Sequence, residues 1–320
     1  RDHCGPLCLG RISNWFAFIR KKIVYSFLYL FLLTSLWAQA QSGNLSYLVY
    51  GKGQGDFRLF NSMYFEKNSE FSAPDEYVFF NVQPEFLYGI DDGLNLGARL
   101  RLRNVIRSNN ITGADILSFK QKGKNGLNYQ RYGISGVDIF LRHDLGKHLS
   151  SWSVQHTIGL PIGKDLEGTE ILGYLDWSGG SYHGQLFYNV LWDKFQLFTE
   201  LGIRLDNLTT GMFKKESDYF VYAGLPMSVL PGFLIHPQHF TYLLFQANPR
   251  WSFSRPFSTT NPKILLDPFA QIGLGYKLFF ARHMEFETIG TLFFSDYQHK
   301  NAFTWSLGWR YYLGRDLYGY

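Results

Sequence analysis

The chain has 320 residues, 18% of them aromatic and only 18% charged, with 30 Phe, 21 Tyr and 32 Gly, and its mean hydropathy is slightly negative. Soluble domains run nearer a quarter charged, and a chain this rich in Phe and Tyr that is not apolar on average must interleave apolar with polar residues, as strands between lipid and water do. Most of the formal charge of +5 belongs to the N-terminus: without Arg1, Arg11, Arg20, Lys21, Lys22 and Asp2, 26 basic and 25 acidic residues remain of the 31 and 26. Nucleic-acid binding thereby loses its electrostatic basis. Both cysteines, Cys4 and Cys8, lie in the same segment, which removes disulfides, thiolate metal sites and thiol nucleophiles from the rest.

Residues 1–40 are expected to be a leader and 41–320 a single membrane domain. Within the leader, residues 20–40 carry the signal: Arg20-Lys21-Lys22, an apolar run from Ile23 to Trp37, then Ala38-Gln39-Ala40. That is the positive, apolar, small-x-small order of a cleaved secretory signal. The run falls short of the roughly 20 residues a spanning helix needs, and no Cys follows it for lipid attachment. Residues 1–19 look like no part of a signal and read as an over-extended frame or fragment.

From Asn44 onward no apolar run is long enough for a membrane helix, so a membrane-embedded body would have to be a closed barrel. Period-two alternation predicts twelve strands: Phe57 to Glu66, Val78 to Gly89, Leu94 to Arg103, Tyr132 to His143, Trp152 to Ile162, Tyr182 to Trp192, Phe195 to Asp206, Tyr219 to Val229, His239 to Ser252, Pro268 to Phe280, Met284 to Ser295 and Phe303 to Leu313. The third is the cleanest, with Leu94, Leu96, Ala98, Leu100 and Leu102 on one face and Asn95, Gly97, Arg99, Arg101 and Arg103 on the other. No helix could segregate that pattern.

Asp91-Asp92-Gly93, Gly146-Lys147-His148, Asp193-Lys194 and Ala281-Arg282-His283 read as tight turns. The alternate connections, such as Ile106 to Gln130 and Gly163 to Gly180, are longer and rich in Gly, Asn, Ser and Lys. Short turns at one end and long loops at the other are the asymmetry of transmembrane barrels, with the short end periplasmic. The stretch around Pro231 and Pro237 breaks this rule as a longer connection at the short end. Tyr88, Trp152, Trp192, Trp251, Trp305, Tyr311 and Tyr312 fall near strand ends and are expected to form interfacial girdles.

The last strand, Ser306-Leu307-Gly308-Trp309-Arg310-Tyr311-Tyr312-Leu313, resembles the polar-x-Gly-x-x-apolar-x-apolar signal of Gram-negative outer-membrane β-barrels. The resemblance implies an outer-membrane location, contact with outer-membrane lipids, and recognition by the barrel-assembly machinery through Ser306, Gly308, Tyr311 and Leu313. It covers eight residues, and the chain runs on to Tyr320 where family members commonly stop at the strand end. The hairpin Tyr88-Gly89-Ile90-Asp91-Asp92-Gly93-Leu94-Asn95-Leu96-Gly97 is similar to hairpins of small barrel families described as outer-membrane transporters.

The same alternation points Arg99, Arg101 and Arg103 into the lumen, with Glu85, Asp138 and Arg142 on neighbouring strands and Glu285 and Glu287 on the eleventh. Such charges form either a selective constriction or an ion-pair network that plugs the barrel, because charges in a confined space must be paired or hydrated. The arginines suit an anionic or polar solute, since guanidinium forks grip carboxylate and phosphate. Twelve strands enclose less than the 16 to 18 of open porins. Passive or selective passage of small solutes is therefore the expected role, ahead of a structural barrel or component of an envelope or secretion complex, and of a lipid hydrolase. His156, on the lipid-facing parity of the fifth strand, is the one hydrolase candidate, but it has no Ser-Asn-Gly-type element beside it and reads as a structural histidine or one whose facing a bulge reverses. No enzyme activity, cofactor or metal is expected: His183, His236, His239 and His299 lack ligand spacing, and Gly51-x-Gly53-x-Gly55 does not lie between a strand and a helix.

Overall fold

The computed structural model describes residues 49–314, except 69–74, 109, 120, 124–127, 147–148, 150, 170–172, 209–219, 255–263, 267, 281–282 and 296–300. The leader and its signal lie outside the described residues, as do most of the turn at Gly146-Lys147-His148 and Ala281-Arg282 of the last tight turn.

Twelve antiparallel strands follow in chain order. They are β1 (Gly55–Asn68), β2 (Asp75–Asp91), β3 (Leu94–Ser108), β4 (Tyr129–Asp144), β5 (Trp152–Pro161), β6 (Ser181–Trp192) and β7 (Phe195–Asp206), then β8 (Phe220–Gly224 and Met227–His236), β9 (His239–Asn248 and Arg250–Ser254), β10 (Ile264–Leu266 and Phe269–Phe279), β11 (Met284–Ser295) and β12 (Asn301–Leu313). The breaks in β8 and β9 fall at Pro226 and Pro249, where a residue without an N–H cannot extend the ladder. A one-turn helix, α1 (Gly113–Leu117), capped by Thr112, stands in the loop after β3.

Each strand pairs with its sequence neighbours, and β1 also pairs with β12 from Gly55 opposite Leu313 to Lys67 opposite Asn301. The sheet thus closes on itself and leaves no edge. Uninterrupted strands run from 10 to 17 residues, enough to cross the hydrocarbon when tilted. Among the described residues no helix is long and apolar enough to do so. The outward face is apolar and open: Leu96, Ile139, Ile158, Ile203, Leu274 and Leu292 are 45%, 46%, 55%, 55%, 62% and 54% exposed. Apolar side chains this exposed on strands around the wall make an outward apolar belt, the surface that a barrel in a bilayer requires.

Two sequence expectations change in detail. The long connection at Pro231 is instead part of β8, and the turn into β9 is only Pro237-Gln238. Pro231 is tolerated because it pairs with Leu197 of β7 while the β9 ladder lapses at Leu230 and Pro231. Tyr312 is no girdle residue: it points inward, is 1% exposed and donates to Glu285 at 2.6 Å. Of the connection after β5, residues 163–169 and 173–180 turn into the barrel mouth, where Leu166, Leu175 and Asp176 are buried.

A bulge at Ser135 shifts the β3–β4 register between Arg101 and Leu102. One extra residue reverses facing, which lets both Asp138 and Arg131, an odd number of residues apart, point inward.

At the short-turn end the interior is filled. Tyr50, Leu87, Phe140, Phe240, Tyr242, Phe279, Ile289 and Tyr312 form one buried cluster, with Leu230, Leu234 and Leu244 against it. Inward glycines make the room for these rings. A Cβ on Gly97 would stand 2.2 Å from the Phe140 ring, and one on Gly275 would stand 2.1 Å from the Tyr242 ring. Gly97→Ala is therefore expected to destabilise the barrel by about 1–3 kcal/mol, as overpacking does, seen as a lower urea midpoint for unfolding. An unchanged midpoint would mean that the ring moves aside freely.

Candidate functional site in the lumen

Residues two apart on a strand face the same side, so the polar face of β3 becomes a column of guanidinium groups on the inner wall. Arg99 donates from Nε to Asp138 Oδ2 at 2.9 Å, and its Nη1 lies 3.6 Å from Glu85 Oε2. Arg101 lies 3.3 Å from Asp138 Oδ1 and 3.3 Å from Asp176 Oδ2, and Arg103 reaches Asp176 Oδ1 at 2.8 Å. Glu85, Arg99, Arg101, Arg103 and Asp138 are thereby joined in one network of ion pairs.

The charges extend further round the wall than the alternation of β3 alone indicates. Arg58 on β1 pairs with Glu85 at 3.2 Å and with Asp56 at 2.7 Å. Arg310 on β12 lies 3.4 Å from Asp56 and 3.5 Å from Glu285, and Lys277 on β10 reaches Glu285 at 2.9 Å and Glu287 at 3.5 Å. The result is an unbroken chain of ion pairs from β10 through β11, β12, β1, β2, β3 and β4 to Asp176. Arg58, Lys277 and Arg310 stand at polar positions of the predicted strands, so alternation could have found them, whereas Asp56 lies one residue before the first predicted strand.

Arg142 is the exception among the predicted residues. It has no carboxylate within ion-pair reach among the described residues; Nε and Nη2 both donate to Gln155 Oε1, at 2.9 and 2.7 Å, and the guanidinium lies over the Phe187 ring at 5.5 Å. Gln155 donates on to Gln185 at 3.0 Å, and Gln185 to Glu200 at 2.7 Å. A buried cation is thus joined to a distant carboxylate through two amides, which spreads its charge by hydrogen bonds rather than by contact.

The mouth of the lumen is narrowed by the connection between β5 and β6, of which 163–169 and 173–180 are described. Arg131 donates to the carbonyls of Lys164, Asp165 and Gly173 at 3.0, 2.7 and 2.7 Å. Leu166 and Leu175 pack on Val105 and Tyr129 of the inner wall, and Asp176 closes on Arg101 and Arg103. Burial, with the Asp176 carboxylate beside it, raises the Tyr174 phenol above its ordinary value and keeps it neutral. Asp176 is not legible as a site residue because nothing in a loop's composition says that it turns inward, and Arg131 is not because its facing depends on the Ser135 bulge in β4.

A cavity of ≈ 220 Å³ remains in the lumen beside the ion-pair chain. Arg58, Arg99 and Arg310 line it with Glu85, Glu285 and Glu287, and Phe60, Gln83 and Gly308 complete the wall.

His156 lies on the outer face, as its parity predicts, with Nδ1 2.9 Å from the Tyr182 hydroxyl and its ring 6.0 Å from that of His143. No group of three or more potential metal ligands occurs among the described residues.

No family model and no curated protein matches the chain. Among solved structures, an outer-membrane channel from Pseudomonas putida F1 is 13% identical with a TM-score of 0.52, over 84% of this chain and 98% of that one. The β domain of the Bordetella autotransporter Brka is 12% identical with a TM-score of 0.53, over 81% of this chain and 99% of that one. The fold is that of the Gram-negative outer-membrane β-barrels. The outer-membrane β-barrel fold and the apolar belt agree with an outer-membrane location. A channel and an autotransporter domain share this architecture, so what this outer-membrane barrel does must be argued from its own lumen.

Proposed function

We propose that this barrel is a selective channel for small polar solutes, seen in a closed state in which the β5–β6 loop lies in the mouth and the apolar cluster fills the short-turn end. The observation that carries this reading is the charged cavity between paired walls: side chains that only filled the barrel would not need to surround a space with three arginines and three glutamates. A wide, unselective pore does not fit, since the loop and the ion-pair chain both narrow the path.

The test is single-channel conductance of the refolded chain in a planar bilayer. Discrete openings are expected, and Arg99→Gln should shift the reversal potential in a salt gradient toward cation preference, because it removes one positive charge from the lumen wall while leaving the Asp176 latch in place. Arg101 and Arg103 are less suited to this measurement, since both also hold the loop.

The ion-pair chain itself favours a second reading, a non-transporting barrel whose interior charges serve only to close it. In that reading the barrel is a structural protein or a membrane component of a larger envelope complex. A folded barrel that stays silent at all voltages would select it.

A further inference from the structure

The lumen cavity has a property that neither an anion channel nor a cation channel requires: its charges balance. Three guanidinium and three carboxylate side chains line it, so a simple anion or a simple cation entering it meets attraction and repulsion of equal count. A molecule carrying both charges meets two attractions. The unsatisfied atoms fall on the same pattern. Arg58 uses Nε for Asp56 and Nη1 for Glu85, while its buried Nη2 has no hydrogen-bond partner. Glu287 uses Oε1 for the Tyr242 hydroxyl at 2.5 Å and for Lys277 at 3.5 Å, and no hydrogen bond reaches its Oε2 among the described residues.

The register explains why space exists between these two groups. On the row joining β1, β12 and β11, Phe60 stands opposite Gly308 and Gly308 opposite Glu287. Gly308 contributes no side chain, and a Cβ there would come within 3.2 Å of the Phe60 ring and 3.5 Å of Glu287 Cβ. Arg58 lies one step along β1 toward the short-turn end. Its strand and that of Glu287 are separated by β12, about 10 Å between axes at the usual strand spacing. Two inward-reaching side chains and a ligand with adjacent charges span that gap.

We infer that the cavity binds a small zwitterion of the α-amino-acid type, its carboxylate on Arg58 Nη2 and its ammonium on Glu287. The inference rests on the channel reading for its biological purpose but not for its test. A carboxylate supplies the planar acceptor that a guanidinium edge fits, and an ammonium supplies the donors that Glu287 Oε2 lacks. Phe60, on the cavity wall, leaves room for a short side chain only, so alanine-sized molecules are preferred over aromatic ones.

The experiment is thermal unfolding of the refolded full chain in detergent micelles, read by loss of the compact form on a denaturing gel. L-alanine, acetate and methylammonium are compared at equal concentration and ionic strength. A ligand that binds only the folded state raises the midpoint. L-alanine is expected to raise it, and neither half-molecule alone to do so. In Arg58→Gln and Glu287→Gln, each measured against its own midpoint without ligand, at least ten-fold more L-alanine should be needed for the same rise. Should either variant fail to fold, Phe60→Trp leaves every charge in place and fills the space, and it should abolish the response. No rise in the unaltered protein, an equal rise with acetate, or an undiminished rise in Phe60→Trp would overturn the inference. A protein that L-alanine stabilises but that never conducts would sink the channel reading and leave this one standing.

Discussion

Asp176→Asn is expected to release the loop in the barrel mouth and to raise unit conductance above that of the unaltered chain. The carboxylate is 1% exposed and holds both Arg101, at 3.3 Å, and Arg103, at 2.8 Å. Asn retains an acceptor for the Trp177 N–H, now bonded to Asp176 Oδ1 at 2.9 Å, so the change removes charge and little else. Removing one partner of a buried pair costs about 3–5 kcal/mol. The cost here should lie at or below the bottom of that range, because Arg101 and Arg103 keep 15% and 23% exposure and can hydrate, and Arg101 retains Asp138. The loop is still held by the Arg131 clamp on three carbonyls, the packing of Leu166 and Leu175, and the contact of Trp177 with the Tyr222 ring at 4.8 Å. The measurement is bilayer conductance of Asp176→Asn beside the double variant Asp176→Asn/Arg131→Gln. Openings that grow from the unaltered chain to the single and then to the double variant would establish the loop as the constriction. Identical conductance in all three would place the narrowest point elsewhere, at the aromatic cluster near the short turns.

Much of this barrel can be read from the sequence because a strand facing lipid on one side and a polar interior on the other writes its facing into every second residue. Arg99, Arg101 and Arg103 share one face of β3 for that reason, as Glu285 and Glu287 share one face of β11. His156 faces outward, so no bulge reverses it, and its ring is bonded to the Tyr182 hydroxyl. Alternation fails where the chain stops alternating. The Ser135 bulge, the inward turn of the loop carrying Asp176, and the absorption of Pro231 into β8 each depend on a neighbouring strand that the local pattern does not contain. Tyr312 was misplaced because an aromatic at a strand end suits either an interface or a buried contact, and only the carboxylate of Glu285 beneath it decides between them. Which charges pair is equally hidden, since Arg310 and Asp56 lie at opposite ends of the chain and meet only because the barrel closes.

That closing seam carries the other large effect. Glu285 is 1% exposed and accepts from Lys277 at 2.9 Å and from the Tyr312 hydroxyl at 2.6 Å, with Arg310 3.5 Å away. Glu285→Gln is expected to lower stability by about 3–5 kcal/mol, because it leaves buried cations without their main counter-charge. Lys277, 3% exposed, would keep the Glu287 carboxylate at 3.5 Å, and Arg310 the Asp56 carboxylate at 3.4 Å. The desolvation cost of a cation without its partner disappears when the cation is also removed, so Lys277→Met/Glu285→Gln should recover most of the loss. Urea unfolding of the two single variants and the double variant gives the coupling directly. A double variant more stable than Glu285→Gln would show that the pair is held in the wall chiefly because neither member tolerates burial alone. A double variant less stable than either single would show that Lys277 and Glu285 stabilise the seam independently, Lys277 through Glu287 and Glu285 through Tyr312 and Arg310. In that second case the network is a set of separate braces, and breaking it at Asp176 should leave the β10–β12 wall undisturbed.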